Sequence, residues 1–211
     1  FDRITRPEQI LSSLPQAINT MLDPADCGPA TISMSQDVQG EAFDYPEIFF
    51  EEKIHEIRRI HPDPNQIKEA ADKLKKSSQP IIISGGGVLY SEAEKEISEF
   101  AKKHNIPVTA TVMGIGCMNK DDPYYISAIG CLGEGSSNNL ATNTDLALAV
   151  GTKLGDFTTG SWTNFENENF QLVSINTSRF DTTKHRATPV VSDAKIGLRE
   201  LSKALGDWKA P

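Results

Sequence analysis

From residue 62 onward, short apolar runs alternate with stretches of helical periodicity, and no other feature of the sequence restricts the fold as strongly. Ile81, Ile82 and Ile83 form a continuous β-branched run, which suits a strand covered on both faces, since a half-exposed strand would alternate with polar residues. Residues 106–112 (IPVTATV), 145–151 (DLALAVG), 171–177 (QLVSINT) and 187–193 (ATPVVSD) read the same way, with a shorter run at 125–130 (YISAIG). Between them lie helices. Asp63 with Pro64 and Gln66 opens one whose Ile67, Ala70, Ala71 and Leu74 share a face. Ser91 with Glu94 predicts a cap for the next, striped by Ala93, Ile97, Phe100 and Ala101. Residues 136–144 and 194–205 supply two more. Alternation of this kind predicts the α/β class: an open parallel sheet flanked by helices.

Residues 1–40 differ in character. Thr5 with Glu8, and Ser13 with Gln16, are spaced as two capping boxes, with Pro7 and Pro15 in the first turns, predicting a pair of helices. A turn, DPADCGP, leads to a strand, ATISM. Such a piece cannot enclose a core of its own, so it is expected to be the remnant of a neighbouring domain. Residues 41–61, with Phe43, Tyr45, Phe49 and Phe50 close together, read as a linker laid on a surface, because a flexible tether would be poor in aromatics. The expected organisation is therefore 1–40 remnant, 41–61 linker, 62–206 sheet domain and 207–211 tail.

Composition narrows the partners. A net charge of −8, with lysines scattered or at helix ends, argues against nucleic acid and anionic membranes. No apolar run approaches the roughly 18 residues of a bilayer-spanning helix, and FDRITRPEQ lacks the layout of a secretory signal. Three cysteines without a CxxC pair suit a reducing cytoplasm better than a disulfide framework.

Glycines cluster where the predicted strands end: Gly85, Gly86 and Gly87, then Gly114, then Gly151. In an open parallel sheet, ligands bind beyond these carboxyl ends, and small residues there let backbone amides approach a phosphate. The G-x-G-x-x-G fingerprint is incomplete, because Tyr90 stands in the third place. Glycines at a tight strand-to-helix corner explain the pattern equally well. Reactive groups are sparse. His55, His61, His104 and His185 are scattered with no metal-ligand spacing, there is no G-x-S-x-G elbow, and catalysis by this chain alone is not expected.

The segment GPATISMSQDVQ (28–39) resembles the end of the pyrimidine-binding domain of thiamine diphosphate enzymes. PIIISGGG, VTATVMGIG, DLALAVGTKLGDFTTG, LVSINTSRFDTTKH and VVSDA follow the order and spacing of that family's central, Rossmann-like domain. QDVQGEAFDYPE, FF-x-x-x-x-H-x-I-R-R and GEGSSNNLA are similar to the branch that opens a cyclic 1,2-dione with water in inositol catabolism. The resemblance implies thiamine diphosphate and Mg2+ for the full-length enzyme, where the cofactor is the electron sink and the protein orients it. It also implies that the partners are the remaining catalytic domains of the same polypeptide, in a homo-oligomer. This stretch has no Gly-Asp-Gly triplet of the magnesium motif, so it is not expected to bind the cofactor itself.

Some relatives hold FAD or an adenine nucleotide at the strand ends. Carried over by position, Gly86, Gly87, Met113, Gly114, Gly151, Asn176 and Asp193 would line that groove. FAD or ADP is not expected here, because Lys153-Leu154-Gly155-Asp156-Phe157 stands where flavin-binding relatives carry an arginine-rich run, and lysine lacks the bidentate fork. Asn176 stands where the family has an acidic residue, and Ser35 where it has a proline. Two other readings remain: a free-standing FAD-, NAD- or ADP-binding regulatory module, and part of an acetolactate-synthase-like carboligase.

Overall fold

A computed structural model describes residues 1–211, which divide into two compact units, Phe1–Arg58 and Arg59–Pro211. The division falls inside the stretch read as a linker.

The first unit holds strand β1 (Asp2–Ile4), helix α1 (Ile10–Leu22), strand β2 (Ile32–Met34) and a single turn of helix, α2 (Gln36–Gln39). β1 and β2 pair in parallel, with Asp2 opposite Ile32. The expected pair of helices is one helix of 13 residues with Pro15 inside it. Gln9 explains why: its Oε1 accepts the amides of Thr5 at 2.6 Å and Arg6 at 2.9 Å, so the chain starts from Gln9 and not from a Thr5–Glu8 box. Ser13, read as a second cap, lies within α1 and donates to the Asp2 carboxylate at 2.5 Å. The aromatics of residues 43–50 form their own cluster, Tyr45 lying 5.0 Å from Phe43 and 6.0 Å from Phe49.

The second unit runs α3 (Pro64–Leu74), β3 (Pro80–Ser84), α4 (Gly86–Tyr90), α5 (Glu94–His104), β4 (Val108–Ala110), β5 (Tyr125–Ala128), α6 (Gly135–Asn143), β6 (Leu146–Val150), α7 (Asp156–Thr159), β7 (Gln171–Asn176), α8 (Arg179–Thr182), β8 (Thr188–Val191) and α9 (Ala194–Leu205). Six strands form one all-parallel sheet in the order β5-β4-β3-β6-β7-β8. Chain order thus reverses between β3 and β6, the switch point at which doubly wound sheets open a crevice.

The isoleucine run divides itself between two cores. Ile82 faces the cluster built with α3, α5 and α9, including Leu74, Phe100 and Leu201. Ile81 and Ile83 face the other side, with Ala147, Ala149, Leu172 and Ala141 of α6. Successive strand residues point to opposite faces, so an unbroken apolar run is what a doubly covered strand requires.

Asp63 caps α3, accepting the Asn65 amide at 2.7 Å. The expected Ser91–Glu94 box is not made. α5 starts after Ala93 without a side-chain cap, and Ser91 Oγ instead accepts the Ala194 amide of α9 at 3.3 Å. The extra turn α4, between the glycines and α5, was not visible in the periodicity because three of its neighbours or members are glycines. Residues 207–211, expected as a tail, pack on α5: the Ala210 amide donates to the His104 carbonyl at 2.8 Å, and His104 Nδ1 meets the Trp208 carbonyl at 2.7 Å. No helix is long and apolar enough to cross a membrane.

Candidate functional site

At the switch point the carboxyl ends of β3, β4 and β6 frame a cleft of about 480 Å³. Gly86, Gly87 and Tyr90 come from the turn after β3, Thr111, Val112 and Met113 from the turn after β4, and residues 151–155 with Phe157 and Thr158 from the segment after β6. Gly86, Gly87, Met113 and Gly151 therefore meet at one place, although 65 positions separate Gly86 from Gly151 along the chain.

The glycine turn is a backbone packing joint. A Cβ on Gly85 would lie 2.3 Å from the Gly151 carbonyl oxygen, and one on Gly87 would lie 2.6 Å from the Gly151 Cα. Gly151 itself has φ of +61°, a region that favours glycine. Three amides of the turn and that of Gly151 are engaged as well. Gly85 N donates to Val150 O at 2.8 Å, Gly87 N to Gly151 O at 2.9 Å, Val88 N to Gly85 O at 3.1 Å and Gly151 N to Ile175 O at 2.8 Å. A phosphate needs free N–H groups pointing at it. Here these four point at carbonyls of the protein.

Three of the seven sequence candidates stand apart from the cleft lining. Gly114 is buried behind it, where a Cβ would lie 2.2 Å from Ser84 O. Asn176 uses its side-chain amide internally, donating to Thr152 O at 3.3 Å and accepting from Ser178 N at 3.0 Å. Asp193 is the cap of α9, accepting the Ile196 amide at 3.2 Å and the Arg59 guanidinium at 2.9 Å. What sequence reasoning did not single out is the apolar rim that Tyr90 and Phe157, 81% and 72% exposed, form beside the named Met113, 66% exposed. Helices of one turn carry no periodicity, so Tyr90 of α4 and Phe157 of α7 emerge only once these turns are folded.

The electrostatics of the cleft are spare. Lys153 is the one cationic side chain among its lining residues, and no carboxylate is among them. Nowhere do three or more His, Cys, Asp or Glu side chains gather as a metal site. The three thiols are free, Cys117 buried and Cys27 and Cys131 exposed. Burial pushes the Cys117 thiol above its ordinary value, which lowers its thiolate fraction and its reactivity.

The chain matches the family described as thiamine pyrophosphate enzyme, central domain, over residues 67–201. Among curated proteins it is 43% identical over 210 residues to a 3D-(3,5/4)-trihydroxycyclohexane-1,2-dione hydrolase of Halalkalibacterium halodurans, covering 100% of this chain and 33% of the relative. The proteins of that name from Bacillus velezensis and Clostridium tetani are 42% and 39% identical, over 100% and 97% of this chain. The chain thus spans about a third of the length of the curated relatives it matches. Among solved structures, a benzoylformate decarboxylase from Polynucleobacter necessarius superimposes with a TM-score of 0.75 at 22% identity, covering 99% of this chain and 40% of that one. A putative thiamin diphosphate-dependent enzyme from Mycobacterium smegmatis gives 0.75 at 19% identity, covering 98% and 39%. At these identities the two structures speak for the fold.

Proposed function

The chain belongs to the thiamine pyrophosphate enzyme family, whose central domain it carries, and from that premise we propose that it is the spacer of a hydrolase that opens a cyclic 1,2-dione in inositol catabolism. The observation that carries this reading is the 43% identity, over the full length of the chain, to a protein named for trihydroxycyclohexane-1,2-dione hydrolysis. In this reading the carbon–carbon cleavage belongs to the complete polypeptide, in a reducing cytoplasm, with thiamine diphosphate and Mg2+. The cofactor would supply the electron sink, and the role of this chain is mechanical. It holds the catalytic domains of the same polypeptide at a set separation and takes part in a homo-oligomer.

The residues present do not suit a diphosphate–magnesium group. A magnesium ion bound through a diphosphate takes one or two carboxylates as ligands, and the cleft lining has none. Nor do they favour an adenine dinucleotide, since the amides of Gly85, Gly87 and Val88 donate within the protein and Lys153 is the one cation at hand.

The test is a thermal shift of the chain with FAD, NAD, ADP and thiamine diphosphate, beside a dione-opening assay. The expected result is no rise of the midpoint with any of the four and no turnover above buffer. A dose-dependent rise with an adenine nucleotide would favour a nucleotide-sensing module instead. Turnover by the chain alone would overturn the spacer reading.

A further inference from the structure

The loop that forms one wall of the cleft follows a course that residues with side chains seldom take. Gly160, Ser161 and Trp162 have φ of +57°, +53° and +69°, three successive left-handed residues of which two carry a Cβ. L-residues visit this region singly, and runs of it cost free energy that contacts elsewhere must offset. The loop's own hydrogen bonds are Ser161 N to Asp156 O at 3.1 Å, Thr163 N to Gly160 O at 3.1 Å, Asn164 N to Thr159 O at 3.2 Å and Trp162 N to Thr159 Oγ1 at 3.2 Å. All of them fall within residues 156–164, so they close the loop without fixing it against the rest of the domain.

Contacts with other segments supply that fixing: Asn164 Nδ2 donates to Asn138 Oδ1 at 3.4 Å, Trp162 packs against the core cluster of Ile81 and Ile83, and two further contacts stand at the ends of the loop. At one end Phe157 O accepts the Cys131 amide at 2.8 Å, and Gly130 packs so close that a Cβ there would lie 2.1 Å from the same oxygen. At the other end the Trp162 ring lies 4.1 Å from the His185 ring, inclined at 46°. His185 and its neighbour Arg186 are left-handed too, with φ of +57° and +58°. Two strained turns, one before β7 and one before β8, therefore meet ring against ring. Phe157 and Thr158, which line the cleft, lie between Gly155 and this meeting point.

We propose that the Trp162–His185 contact is a latch. While the rings meet, residues 160–162 keep their left-handed course and Phe157 is held at the cleft. When they part, the strained turn relaxes and that wall moves away, widening the cleft. The latch is independent of whatever the cleft receives, so it stands or falls apart from the spacer reading above.

Hydrogen exchange read by mass spectrometry on the whole chain tests it. In His185→Ala, peptides covering 155–164 are expected to exchange about two- to tenfold faster, the range of a lost aromatic contact, while β3 and β6 exchange as in the wild type. His185→Phe keeps a ring and should keep the loop's protection. Unchanged exchange of 155–164 in His185→Ala would overturn the latch. So would an equal rise in the sheet, because the contact would then support the whole domain and not one wall. Should His185→Ala fail to fold, His185→Gln, also without a ring, is judged by the same criteria. A Ser161→Gly background, with the strain relieved, should shrink the effect of losing the ring.

Discussion

Arg59 Nη1 donates to the carboxylate of Asp193 at 2.9 Å across 134 positions of chain, and also to the Ser91 carbonyl at 2.7 Å. One guanidinium thus ties the start of the sheet domain to the cap of α9 and to the turn between α4 and α5. The Asp193 amide donates to Ile60 O at 2.9 Å, so backbone and side chain clip the same two segments together.

Arg59→Ala leaves the mostly buried Asp193 carboxylate with only its cap bond. Arg59 is 34% exposed at its side chain, so solvent screens part of the pair, and the expected loss is about 1–2 kcal/mol by urea unfolding. Asp193→Ala removes the cap as well and should cost about 1 kcal/mol more. Equal losses in the two variants would show that the cap contributes nothing.

Asp145 accepts from Ser77 Oγ, from the Ser78 amide at 2.7 Å and from the Gln79 amide at 3.1 Å, pinning the loop before β3 to the start of β6. Burial pushes its carboxyl up, but these donors outweigh burial and hold it below its ordinary value of 3.8. A folded value below the unfolded one gives stability that is present above 3.8 and is lost as pH falls through the lower folded value. Between about pH 5 and 3 the wild type should therefore lose more stability than Asp145→Asn, which is itself weaker by about 1–3 kcal/mol at neutral pH. Parallel urea midpoints for the two proteins across that window would refute this account.

His104 is fully buried, with Nδ1 against the Trp208 carbonyl at 2.7 Å and Nε2 against Ser202 Oγ at 3.0 Å. Burial depresses its pKa below 6.5, the Trp208 carbonyl opposes this, and nearby Lys103 adds to it. The neutral ring is the folded form, so stability is whole above pH 6.5 and falls as pH drops through the depressed value. The imidazole resonances should titrate below 6.5, with Trp208 fluorescence following them. A normal or raised titration would contradict the packing of residues 207–211 on α5.

Gly87→Ala would set a Cβ 2.6 Å from the Gly151 Cα, whereas nothing lies within 4 Å of a Cβ on Gly155. Both glycines border the cleft. The expected losses are about 1–3 kcal/mol for Gly87→Ala and within about 0.5 kcal/mol for Gly155→Ala, measured without ligand. A harmless Gly87→Ala would mean that the turn exists for a ligand and not for packing.

Much of the sheet was legible in the residues themselves. Ile81 to Ile83 and Leu146 to Val150 could be read as doubly covered strands, and Ile67, Ala70, Ala71 and Leu74 as a helix face, because period and burial are local properties of a sequence. Gly86, Gly87, Met113 and Gly151 could be named in advance, since strand ends in such a sheet converge on one edge. Where each amide points was not legible. Nothing within PIIISGGG says that Gly87 N donates to Gly151 O, that Asn176 turns its amide onto Thr152, or that Asp193 serves Arg59.

Ser13, Glu8 and Ser91 show the same limit from the other side. Their spacing suited capping boxes, yet each found a different partner: Asp2 for Ser13, Arg6 for Glu8, and the Ala194 amide for Ser91. Hydrophobic pattern acts along the chain and decides which segments become strands and helices. The bond of Ser91 to the Ala194 amide spans 103 positions and the contact of Trp162 with His185 joins separate turns, so only the folded arrangement of the segments could choose them.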